Sequence, residues 1–228
     1  MCSKQPMIFM QFLKSLDDLL YEIITWLVFY PVTLWKTIRR PFTMMAYADS
    51  ELEEGRESRY PDVLSPPIFL LLTLLLSHGL AVALLGENPI VASHKGLAGF
   101  INDDTSLLLV RLIFFAVFPL FMSVLLLRRR KQPLTRDSLR LPFYAQCYPT
   151  SVFAFLLGLG AIGAQMHAPV PAIAGLGVII FAFIWFGTLQ TIWFAQALDV
   201  SRFRGFLLAT RGMIESTIAF VLLCALIA

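Results

Sequence analysis

The sequence predicts an all-α integral membrane protein with five transmembrane helices, preceded by an N-terminal amphipathic helix at the membrane surface. Of the 228 residues, 58% are apolar and only 14% are charged, whereas soluble domains average about 25% charged residues. Long apolar stretches alternate with short polar ones. When these stretches are threaded across a membrane, sixteen of the 18 Lys and Arg residues fall on one side.

The first element is the amphipathic helix, within residues 7–40. Lys14, Asp18 and Glu22 recur at every fourth position and therefore share one stripe of a helix. Apolar residues cover the remaining surface, and several Trp and Tyr residues suit the headgroup zone. This pattern is typical of an interfacial helix.

A sixth membrane span over about residues 19–35 is the alternative for this segment. The uninterrupted apolar run, residues 23–35, has thirteen residues. That length is too short to cross roughly 30 Å of hydrocarbon, and Pro31 is expected to bend the helix. The interfacial interpretation is therefore preferred, with the sixth span left open.

A polar segment and five spans complete the chain. Residues 44–65 mix acidic and basic side chains and are predicted to be a solvated linker. Residues 1–65 are thus expected to form a cytoplasmic N-terminal segment, and residues 66–228 a membrane domain. Its predicted spans are about residues 66–85, 106–127, 143–165, 172–198 and 212–228.

The distribution of Lys and Arg predicts that the N-terminus is inside and the C-terminus outside. In this orientation the inner segments carry seven basic residues before the first span, six after the second and three after the fourth. Lys95 alone lies in an outer segment, and Arg111 lies within the second span. Short loops rich in Lys and Arg stay cytoplasmic, so the orientation follows.

Two ionisable residues in the outer halves of the spans are candidate functional residues. Arg111 is an intramembrane charge, which is a functional candidate by default; the alternative is that its long side chain reaches the outer headgroups or nearby carboxylates. His78 could pair with Arg111 or titrate as a switch. The alternative for His78 is a packing role.

Polar residues at the predicted inner ends of the last three spans form a second group of candidates. They include Gln146, Tyr148, Gln190 and Glu215. Brought together, they would form a polar vestibule or a docking surface. The alternative is hydrogen bonding between helices, which contributes about 0.6 kcal/mol on average in membranes.

Small residues are concentrated in the third and fourth spans. Gly160 and Ala164 form a small-xxx-small pair, which lets helix backbones approach closely. The turn between these spans is short. The sequence therefore predicts a tight helical hairpin.

No pattern indicates an enzyme, a metal or a cofactor. The three histidines are scattered, the three cysteines are far apart, and neither His-Glu-x-x-His nor Gly-x-Ser-x-Gly occurs. The net charge of +3 is too small to indicate nucleic-acid binding. We therefore expect a non-enzymatic protein without a cofactor.

Two stretches resemble the Yip family of multi-span membrane proteins. LPFYAQCYPTSVFAFLLGLGAIG (141–163) is similar to that family's entry into the third span, and IWFGTLQTIWFAQALDVSRFRGFLLA (184–209) to its fourth span and following turn. The resemblance covers about residues 40–228. Eukaryotic members carry Asp-Leu-x-Gly-Pro before the first span, and DVLSPP (62–67) matches it in part.

The resemblance implies a protein that binds other proteins or organises lipid, with a bacterial member in the cytoplasmic (inner) membrane as the closest type. Our first hypothesis is therefore a scaffold or adaptor that binds a protein partner, or another copy of itself, and anionic lipid. The alternative is a permease or transporter subunit in which Arg111 and His78 line a path. The residues expected to contact lipid are Arg39, Arg40, Arg128, Arg129, Arg130 and Lys131.

Overall fold

The computed structural model describes residues 5–53, 60, 62–86, 104–166 and 168–227. These residues form seven α-helices and no strand. The helices are α1 (Gln5–Arg39), α2 (Pro41–Glu53), α3 (Pro66–Leu85), α4 (Asp104–Arg129), α5 (Arg136–Gln165), α6 (Pro169–Ala197) and α7 (Arg202–Ile227). The predicted outer loop around Lys95 lies outside the described residues.

Four of these helices are long and apolar enough to cross a membrane, namely Pro66–Leu85, Leu108–Arg129, Arg136–Gln165 and Pro169–Ala197. Large apolar side chains cover their outside; on α6, Val170 is 76% exposed and Ile173 is 71% exposed. So much exposed apolar surface suits lipid and not water. The prediction of a helical membrane protein is confirmed at this level, while the fifth span and the orientation stay predictions.

Helix α5 is the central helix of the bundle. Ten consecutive residues, 145–154, are buried, so three turns of α5 are covered on every side. Phe153 stacks on Phe186 of α6, with ring centroids 4.4 Å apart, and also meets Phe115 and Phe118 of α4. The hydrophobic core of the bundle is thus built around one helix.

Helices α5 and α6 approach closely across three glycines. A Cβ atom on Gly175 would lie 2.5 Å from the carbonyl oxygen of Gly160 and would also overlap the backbone of Ala164. A Cβ atom on Gly163 would lie 2.9 Å from the Cα of Gly175. The predicted tight hairpin is confirmed, and its contact is backbone against backbone.

Helix α2 occupies part of the segment that was expected to be a solvated linker. Met44, Met45 and Ala48 are buried, and they belong to a second core that includes Tyr148 of α5 and Leu189 of α6. The structure differs from the expectation because these apolar residues share one face of a helix, whereas the charged residues of α2 all lie in its second half, at positions 49, 51 and 53. Residues 54–59 of the predicted linker lie outside the described residues.

Helix α1 runs without a break through Pro31, so the predicted helix is present. Its C-terminal part is anchored by two hydrogen bonds. Leu64 N–H donates to Thr33 Oγ1 at 3.0 Å, and Tyr30 O–H donates to Thr73 Oγ1 of α3 at 3.2 Å. Helix α1 is not among the four candidate spans, and its interfacial position stays a prediction.

The close contact of α5 with α6 gives a test of the hairpin. We expect Gly175→Ala to lower the stability of the bundle by about 1–3 kcal/mol, because the new methyl group has no space between two backbones. Thermal unfolding of the purified protein in detergent measures the effect. Gly177→Ala is the matched control on the same helix, since its Cβ meets nothing within 4 Å; equal losses in both variants would contradict the packing described.

Candidate functional site

The chain directions of the helices bring the basic segments to one end of the bundle. Helices α3 and α5 are parallel: Tyr148, in the middle of α5, donates its O–H to Leu64 O just before α3 at 2.9 Å, and Gly158 faces Ser77 further along both helices. Helices α4 and α6 return in the opposite direction. We call the resulting surface the basic end; its residues are Lys36, Arg39, Arg40, Arg128, Arg129, Arg130, Lys131, Arg136, Arg140, Arg202 and Arg204.

Helices α4 and α6 both terminate at the basic end in a Schellman motif, in which one residue takes a left-handed backbone conformation. In α4 this residue is Lys131, with φ of 54°, and Gln132 N–H donates to Leu127 O at 3.0 Å. Helix α6 ends in the same way, with Asp199 at φ 50°. These sharp stops fix where the two basic loops turn.

Arg130 fastens the end of α4 to the end of α6. Its guanidinium donates from Nε at 3.3 Å and from Nη2 at 3.0 Å to the carbonyl oxygen of Ala197. This carbonyl is one of the last in α6 and has no partner within the helix, and a cation is favourable at a helix C-terminus. Arg130, a predicted lipid contact, therefore also has a structural role.

The basic residues of α1 lie in two different surroundings. Lys36 and Arg40 line a recess of about 240 Å³ between α1 and α2, which Asp62 also lines. Lys36 Nζ donates to the backbone oxygen of Asp62 at 3.5 Å. Arg39 lies instead over the ring of Trp35, with its Cζ 4.0 Å from the ring centroid, which is a favourable cation–π arrangement.

Two further recesses at the basic end are lined by arginines. Arg136 and Arg140, with Asp137, line a recess of about 560 Å³ along the start of α5. Arg129 and Arg204 line a recess of about 420 Å³, which we call the α4–α7 recess. The remaining predicted lipid contacts, Arg128 and Lys131, are exposed.

The polar residues predicted near the inner ends of the spans are joined in part. Gln146 of α5 and Gln190 of α6 exchange two amide hydrogen bonds, of 3.0 and 2.6 Å, and both side chains are fully buried. Tyr148 is likewise fully buried. The alternative of hydrogen bonding between helices therefore describes these residues, and they do not form an open vestibule.

The other candidate residues lie apart from this pair. Glu215 forms an ion pair with Arg211 one turn earlier, at 2.6 Å, and is partly exposed. His78 lies beyond the middle of α3 and Arg111 lies near the start of α4, so both are in the halves away from the basic end. Both are partly buried.

Several residues of the basic end were not singled out from the sequence. Arg204, Arg136 and Arg140 were counted only as charges that orient the chain. They lie singly among other residue types, whereas Arg128 to Lys131 form a conspicuous run. Which of them line a recess depends on how the helix ends meet, and no local pattern reports that.

Comparison with family models, curated proteins and solved structures found no match to this chain. Among the residues that the structure describes, no group of three or more His, Cys, Asp and Glu side chains could hold a metal ion. The basic end, with the buried contacts beneath it, is the candidate functional surface of this chain.

The reciprocal glutamine pair gives a test of the contact between α5 and α6. We expect Gln146→Leu to destabilise the protein by about 1–3 kcal/mol, because the amide of Gln190 is then buried without a partner. Replacing both glutamines by Leu should recover most of that loss. Thermal unfolding of the two single variants and the double variant gives their coupling energy.

Gln196→Leu is the control for this series, since Gln196 is an exposed glutamine on α6, the helix that carries Gln190. This control variant should change the free energy of unfolding by less than about 0.5 kcal/mol. A double variant that loses as much as the sum of the two single variants would show that the pair does not act as a unit.

Proposed function

We propose that this chain is a five-span, non-enzymatic scaffold or adaptor of a membrane, with its N-terminus inside, that binds anionic lipid and a protein partner at its basic end. The observation that carries the proposal is the convergence of basic side chains from α1, α4, α5 and α7 on one end of the bundle. Cytoplasmic leaflets are rich in anionic lipid, which attracts such residues.

The packing of α7 supports a fifth span. Gly205 lies against the backbone of Thr191 and Ala195 in α6, and Gly212 faces the Met122 side chain of α4. Helix α7 thus runs beside two candidate spans from the basic end toward the opposite end. With α7 as the fifth span, the positive-inside rule favours the proposed orientation.

The partner would meet the loops of the basic end. Gln146 and Gln190 are buried against each other and are not accessible to it. Phe203, at the start of α7, is 71% exposed, and Leu134, in the loop before α5, is 52% exposed. Exposed apolar side chains beside arginines provide both anchor and charge for a protein contact. The Yip-type resemblance and the bacterial inner membrane belong to the same proposal.

Neutralising the run at the end of α4 tests the lipid contact. We expect the triple variant Arg128→Gln, Arg129→Gln and Lys131→Gln to retain less phosphatidylglycerol than the native chain. The binding free energy should fall by at most about 1 kcal/mol for each charge removed. Arg130 is kept so that its bond to Ala197 is preserved. Mass spectrometry of lipid retained by the detergent-purified protein measures the change.

Two further measurements make this test decisive. Labelling with an impermeant maleimide at Gln132→Cys and Ala168→Cys, in a background without exposed cysteines, reports the orientation. Lys95→Gln, on the predicted outer side, is the control for lipid retention. Unchanged lipid retention and unchanged orientation in the triple variant would count against the proposal.

The transport alternative places function on Arg111 and His78. The bundle is filled by aromatic rings where Phe153 meets α4 and α6, which argues against a path through the middle of one chain.

Under the scaffold proposal, Arg111→Ala should leave both retained phosphatidylglycerol and co-purifying proteins unchanged, because Arg111 lies in the half of α4 away from the basic end. Mass spectrometry checks both, and a loss of either would contradict the proposal.

A further inference from the structure

The α4–α7 recess differs from an ordinary basic surface because it combines two cations with an apolar wall. Arg129 is the last residue of α4, and Arg204 is in the first turn of α7. The other lining residues are all apolar, namely Leu198, Val200, Leu207 and Leu208. A cavity with this composition suits a molecule with a charged head and an apolar body.

Neither guanidinium group has a charged partner among the residues that the structure describes. Within the part of the chain that the structure describes, neither Arg129 nor Arg204 makes a side-chain hydrogen bond or an ion pair. Asp199 lies in the neighbouring turn but does not line the recess. The electrostatic field in the recess therefore favours an anion, and paired guanidinium groups match the geometry of a phosphate.

The position of the apolar wall distinguishes a lipid from a free anion. Leu207 and Leu208 follow Arg204 by three and four residues on α7, so they lie roughly 4.5–6 Å further from the basic end. Leu207 is 52% exposed, so its side chain is accessible to a bound molecule on the side of the arginines away from the basic end. The arginines and leucines are thus ordered as a phospholipid is ordered, with phosphate first and hydrocarbon below.

Backbone and side-chain hydrogen bonds fix the two helix ends that border the recess. Arg130 binds the Ala197 carbonyl oxygen and so fixes the end of α4 beside the turn between α6 and α7. The Schellman motif with Asp199 sets the direction of that turn. Arg129 and Arg204 are therefore presented by two elements whose separation is fixed before any ligand binds, which reduces the entropic cost of binding.

We propose that the α4–α7 recess binds one anionic phospholipid, with its phosphate between Arg129 and Arg204 and an acyl chain along Leu207 and Leu208. The site rests on the proposed function, since it gives a specific location and stoichiometry to the lipid contact. It adds Arg204 to the lipid-binding residues and assigns Arg130 to positioning.

Titration of the full-length protein with phosphatidylglycerol in phosphatidylcholine nanodiscs, followed by native mass spectrometry, tests the site. We expect Arg129→Gln with Arg204→Gln to weaken phosphatidylglycerol binding about tenfold, through loss of charge-assisted hydrogen bonds. The matched control is Arg128→Gln with Arg202→Gln, which removes the same charge from the same two helix ends outside the recess. The control should weaken binding by no more than about threefold, because Arg128 and Arg202 lie outside the recess and contribute only the diffuse attraction of the basic end.

Each outcome of the titration bears on the site. Equal weakening in both pairs would overturn the recess and leave only the diffuse attraction of the proposed function. No weakening in either pair would also overturn the recess, and the triple variant described above would then decide the proposed function separately. Displacement of phosphatidylglycerol by millimolar inorganic phosphate would overturn a lipid as the occupant.

A second measurement does not depend on the stability of the glutamine variants. Phosphatidylglycerol with a photoreactive group on its acyl chain should label the native protein within residues 204–208, and the Arg129→Lys, Arg204→Lys pair should reduce that labelling because an ammonium lacks the planar fork of a guanidinium. Labelling confined to other segments would overturn the proposal.

Discussion

The close contact of α5 with α6 is the constraint on which the remaining packing depends. At one end of the hairpin, Gly160 and Gly175 allow two backbones to touch. At the other end, Gln146 and Gln190 are joined by two amide hydrogen bonds. Two contacts separated by several turns fix both the distance and the rotation of the helices. In lipid, where apolar burial gives little driving force between helices, close packing and polar bonds supply the specificity.

The other helices pack around this hairpin, and their connections then determine the chemistry of the surface. Helices α3 and α4 pack on α5, which is covered on all sides over residues 145–154. Helix α3 runs parallel to α5, whereas α4 and α6 return in the opposite direction. The basic loops consequently meet at one end. The clamp from Arg130 to Ala197 uses one of these charges to fasten the helix ends, which leaves its neighbour Arg129 exposed beside Arg204. The charges from which we predict the orientation of the chain thus also build the site that we propose there.

The N-terminal helices extend the basic end and are not separate from the bundle. Helix α2 contributes Met44 and Met45 to a core that it shares with α5 and α6, and Thr33 of α1 binds the backbone of Leu64 at the entry to α3. Movement of α1 would therefore act directly on the start of α3.

The alternation of apolar and polar stretches determined that the chain is a helical membrane protein and where four of its candidate spans lie. The spacing of small residues determined that α5 and α6 form a close hairpin. Both follow from the sequence because hydropathy and residue spacing are local properties. The tertiary structure decided what each polar residue does. Gln146 and Gln190 are 44 positions apart, and Arg129 and Arg204 come from different helices, so only the packing of those helices brings each pair together. The sequence did not predict helix α2, because its two buried methionines, Met44 and Met45, are followed by a stretch rich in Asp, Glu and Arg. Residue type sets what a side chain can bind, whereas the fold sets which partner lies within reach.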